Sequence, residues 1–223
     1  MLSTGLAAAA ALLVAVAPRL PRLRERYDTA ALQPITGQPL DESGPAPLDK
    51  VLQDWVMDGA GSGATLLPWH FPAAPRPLAC AIVSPTQRQR VHAFGYRLAG
   101  YHQLDTRSRL GGIAYRIGVQ LRPLLWFLPR RNDEPWDDAW LTNVDEPRLA
   151  ALARWQPRRP TLIVLDSPVE GAAARVMDAL QASLHRNLSQ HPVRLLILHD
   201  GDLAEMASTL TTQIRVLPDQ RNG

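Results

Sequence analysis

A doubly wound α/β fold with a mostly parallel sheet is what the sequence predicts, and three observations carry the prediction. Short, continuous apolar runs recur at residues 78–83, 161–165 and 193–198, each the length of a strand buried on both faces. Stretches of helical period separate them, which favours right-handed crossovers between parallel neighbours. The 223 residues are 46% hydrophobic and 20% charged, so wholesale disorder is excluded and one sizeable core with an extension is expected.

The chain opens on residues 1–17, which carry no charged side chain and include Ala7 through Ala11 followed by Leu12, Leu13, Val14 and Val16. Arg19, Arg22, Arg24 and Arg26 come next, against Glu25 alone. An uncharged stretch of this length is at the short edge of what crosses about 30 Å of hydrocarbon. Three readings stand. A cleaved signal peptide fits Ala15-Val16-Ala17 but lacks a basic start. An Ala-rich helix packed on protein needs no membrane. A single-pass anchor accounts for both the uncharged start and the arginines, because positive residues stay cytoplasmic. The anchor is the expectation taken forward, with everything after Arg19 in the cytoplasm.

Residues 28–47 are rich in Pro, Gly, Asp and Gln without an apolar period, and read as linker. Leu48, Val51, Leu52, Trp55 and Val56 follow the spacing of an amphipathic helix ended by Gly59. Residues 59–63 are a glycine-rich connector, and four prolines keep residues 68–77 irregular. Beyond the first apolar strand, residues 91–102 are predicted helical, 113–119 and 124–128 strands, and 147–155 a short helix. After strand 161–165 come a long helix over 171–188, strand 193–198, a helix over 203–210 and a last strand over 213–217.

Cations and acids are sorted in blocks. Of the 24 cations only Lys50 is a lysine. Residues 71–131 hold ten arginines against Asp105, a net charge of +9, while residues 132–146 hold six acids and no base. The plain reading is a solvated surface whose blocks partly neutralise each other; the other is a binding face for phosphates, anionic lipid or an acidic partner. Aromatics are sparsely interleaved with the arginines and no groove-reading motif occurs, so nucleic acid is not favoured. Cys80 is the only cysteine, which excludes an intramolecular disulfide and a cysteine-cluster metal site.

In an open α/β sheet the ligand site lies beyond the carboxyl ends of the strands. Those ends are residues 84–90, residues 166–168 and residues 199–202. Leu162-Ile163-Val164-Leu165-Asp166 has the form of a Walker B strand, four apolar residues followed by a carboxylate placed to hold Mg²⁺ through water. Trp155-Gln-Pro-Arg-Arg-Pro-Thr-Leu-Ile-Val-Leu-Asp166, a helix, then His191-Pro-Val-Arg-Leu-Leu-Ile-Leu-His199 resembles the Walker B to fourth-strand region of bacterial STAND (NACHT-like) P-loop NTPases. The resemblance covers residues 150–200 well and residues 78–217 loosely. It implies that residues 78–83 are the first strand and 84–90 the phosphate loop. Ser84, Thr86, Arg88, Arg90, Asp166, His199 and Asp200 are then the candidate nucleotide-binding residues, with ATP and Mg²⁺ as the cofactors the family would take.

The motif departs from that pattern where the chemistry lies. A phosphate loop uses glycines for close backbone approach, a lysine for the β and γ oxygens and a Ser or Thr for Mg²⁺. Residues 84–90 contain neither glycine nor lysine, and a guanidinium fork does not reproduce a lysine point charge. Ser167 stands where a water-activating acid would follow Asp166. Residues 58–65 come nearer to the Walker A spacing, but Asp58 and Ala64 replace its first glycine and its lysine. No nucleophile elbow or HExxH pair is present, and His199, Asp200 and Asp202 read as turn chemistry or as an acid–base cluster.

The expected organisation is therefore a hydrophobic helix with basic flank at 1–26, a linker with one helix at 27–77, and a degenerate P-loop-like α/β domain at 78–223. The expected role is that of a catalytically inactive binding or assembly component, without a cofactor or metal of its own, in a membrane-associated protein complex. The alternative is a nucleotide-dependent regulatory switch of STAND type that binds ATP or GTP.

Overall fold

The computed structural model describes residues 28–34, 39, 47–58, 78–108, 110–112, 114–115, 117, 135–157, 159–167, 169, 171–186, 191–199 and 214–216. Its elements in chain order are β1 (Gln33–Pro34), α1 (Pro47–Met57), β2 (Leu78–Val83), α2 (Arg88–Leu98), α3 (Tyr101–Asp105) and β3 (Asp137–Leu141). They continue as α4 (Glu146–Leu152), β4 (Thr161–Leu165), α5 (Ala172–Arg186), β5 (Val193–Leu198) and β6 (Ile214–Val216). The strands form one sheet in the order β1-β3-β4-β5-β2-β6. All neighbours are parallel except β1, which runs antiparallel to β3 at the edge. The three apolar runs are thus adjacent parallel strands β4, β5 and β2, as their composition predicts.

Side chains alternate across the sheet, and each set meets its own helices. Cys80, Ile82, Ile163, Leu165, Leu195 and Ile197 pack with Leu149, Leu152, Val176, Met177 and Leu180 of α4 and α5. Ala81, Val83, Leu162, Val164, Leu196 and Leu198 pack with Leu48, Leu52, Trp55, Val56, Val91 and Phe94 of α1 and α2. Strand direction explains this division. From β2 the chain moves across to β3 near the far edge, then returns through β4 and β5. Right-handed crossovers in opposite directions put their helices on opposite faces. The doubly wound architecture follows.

One charged side chain sits inside the α1 layer. Arg194 of β5 is 0% exposed. Its Nε donates to the Val56 carbonyl at 3.1 Å, Nη2 to Asp58 at 2.6 Å and Nη1 to Val193 at 3.2 Å. Two of these acceptors belong to the C-terminal end of α1, whose carbonyls lack intrahelical partners and carry partial negative charge. Asp49 of α1 pairs with Arg97 of α2 at 2.6 Å, so the two helices of this face are linked in turn. On the other face the Asp145 side chain caps α4 by accepting from Arg148 N at 2.9 Å. Ser183 of α5 donates to the Trp155 carbonyl, and Arg175 pairs with Glu146.

Several expectations require correction. The stretch read as linker buries Ala31 and Leu32 at 0% exposure and supplies β1, where Gln33 lies opposite Trp140 and Pro34 opposite Ala139. The single helix over 91–102 is two helices, α2 and α3, broken at Gly100 with φ 73°. A Cβ there would also lie 2.6 Å from the Tyr115 hydroxyl. The strand expected over 113–119 is helical at the described residues 114, 115 and 117; β-branched residues misled the reading. Two of the six acids of the block, Asp137 and Asp138, are not on a solvated face: each is 2% exposed and belongs to β3, whereas Asp145 and Glu146 are exposed. Asp138 fits beneath α2 only because Gly95 lacks a side chain, since a Cβ there would meet its Oδ2 at 2.3 Å. The hydrophobic helix of residues 1–26, the connector 59–63, strand 124–128 and helix 203–210 lie outside the described residues. Among the described residues no helix is long and apolar enough to cross a membrane.

Two measurements probe this core. Arg194→Met preserves much of the volume but strips the α1 carbonyls of their donors, so the urea midpoint should fall by the equivalent of about 2–4 kcal/mol. Burial pushes the Cys80 thiol up from 9.0 to about 12, opposed by the charge of Arg194. The folded state therefore keeps this proton longer than the unfolded chain. The associated stability is complete below pH 9.0 and is lost as pH rises toward 12. Denaturation midpoints across that interval should decline more in wild type than in Cys80→Ala, and a thiol reagent at neutral pH should modify Cys80 only after unfolding.

Candidate functional site

The site is built on the carboxyl ends of β2 and β4, which flank β5. β2 sends the chain to the α1–α2 face and β4 sends it to the α4–α5 face, so a crevice is expected over this end of the sheet. His199 N donates to the Val83 carbonyl at 3.1 Å and Asp166 N to the Leu141 carbonyl at 2.9 Å, which holds the strand ends level.

Between β2 and α2 there is only Ser84 and one 3₁₀ turn, Pro85–Gln87. Ser84 is extended and Pro85 starts the turn, which leaves no room for a longer loop. The backbone donors of the turn are used within it. Thr86 N donates to Ser84 Oγ at 3.4 Å, Gln87 N to the Ser84 carbonyl at 3.0 Å, and Arg88 N to the Pro85 carbonyl. The two hydroxyls, Ser84 Oγ and Thr86 Oγ1, lie 2.9 Å apart and bond each other.

Arg88, the first residue of α2, reaches across the end of β5. Its Nη2 lies 2.6 Å from Asp166 Oδ2. Two strand spacings, about 10 Å, separate β2 from β4, and the long arginine spans them. The Asp166 side chain is 20% exposed and that of Arg88 57%, so the pair is open to solvent on the arginine side. The Arg88 guanidinium also stands 5.8 Å from the Trp140 ring centroid, and the His92 ring meets Trp140 edge-on at 5.9 Å. Trp140 comes from β3, the strand whose adjacent carboxylates hid it from periodicity, and no spacing in the sequence joins it to Arg88.

Of the seven predicted residues, Ser84, Thr86, Arg88, Asp166 and His199 gather at this edge. Arg90 lies further along α2, half-buried, and Asp200 is outside the described residues. Among the described residues no group of three or more His, Cys, Asp or Glu is placed to hold a metal. The residues present do not fit a magnesium nucleoside triphosphate. Three backbone N–H groups that would face phosphates are spent inside the turn, and the Walker B-like carboxylate is held by a guanidinium. Comparison with family models, with curated proteins and with solved structures returns no match to this chain.

Proposed function

We propose that this chain is a membrane-tethered, catalytically inactive, P-loop-like α/β domain that serves as a binding or assembly component of a larger protein complex. The observation that carries the reading is the closed strand-to-helix turn after β2, with Arg88 locked onto Asp166. A phosphate cradle needs outward N–H groups and a free carboxylate; here hydrogen bonding and the ion pair occupy both. The resemblance at residues 150–200 supports the P-loop-like ancestry of the domain, and the uncharged residues 1–17 with their basic flank support the tether.

Two experiments test it. Full-length protein with ATP–Mg²⁺ or GTP–Mg²⁺ should show no turnover above Asp166→Ala and no saturable binding in the millimolar range by calorimetry. Arg88→Ala, which releases Asp166, should not create turnover, because the lysine is still missing. Hydrolysis abolished by Asp166→Ala, or tight binding of either nucleotide, would establish the regulatory-switch reading instead.

The tether predicts that the chain fractionates with membranes and resists high-salt extraction. Arginines alone give only about 1 kcal/mol each near an anionic surface, and salt screens that attraction. Removal of residues 1–17 should release the domain, and a mature form starting at Pro18 would mean that the segment is a cleaved signal.

A further inference from the structure

We draw no further inference here: the strongest candidate, the cluster at the carboxyl edge of the sheet where the buried Trp140 indole N–H has no acceptor among the described residues beside the Arg88–Asp166 pair, belongs to the site already described, and nothing in the structure shows what covers it.

Discussion

The buried guanidinium of Arg194 is the contact on which the layered arrangement depends. Apolar packing holds α1 against the sheet but does not fix its position along the strands, because hydrophobic burial is non-directional. Three hydrogen bonds from one side chain supply that direction, two of them to the end of α1. The cost of burying the cation is offset by carbonyls whose partial charge has the opposite sign. From α1 the constraint passes through Asp49 and Arg97 to α2, and α2 begins with the arginine that closes over Asp166. The position of the candidate site is thus coupled to a residue at the opposite end of β5.

At the site itself, what distinguishes this sheet edge from a nucleotide cradle is how its hydrogen-bond donors are used. A tight turn after β2 requires its own N–H groups to bond inward, and the absence of glycine keeps the backbone in that form. A cation that approaches the carboxylate from the protein side then does locally what a bound magnesium would do from the ligand side. The inward hydrogen bonds that stabilise this edge are thus the same ones that leave those N–H groups without a free hydrogen for a phosphate.

Strands β2, β4 and β5 were legible because each is buried on both faces and needs no polar alternation; α1, α4 and α5 were legible from period and caps. β3 was not. Two consecutive aspartates outweigh Ala139, Trp140 and Leu141 in any reading of residue types, and the burial of Asp138 depends on Gly95, about forty positions away. β1 was not legible either, since a two-residue strand has no period and its proline suits only an edge. At the site, Asp166 and the turn residues could be placed from strand ends alone. Their neighbours Trp140 and His92 could not, because proximity across three strands leaves no mark in spacing.

The short edge strand β1 limits how far the domain can travel from its own N-terminus. With Ala31 and Leu32 in the core, the described fold reaches back to Asp28, whereas a fold that began at Leu78 would leave about sixty residues of slack beyond Ala17. At about 3.5 Å per extended residue, that slack would be roughly 200 Å. The eleven residues from Ala17 to Asp28 span at most about 40 Å. Were residues 1–17 held at a membrane, as proposed above, eleven residues would confine the domain to within about one or two bilayer thicknesses of it. So short a span would also raise its effective concentration there, because that quantity falls steeply as a linker lengthens.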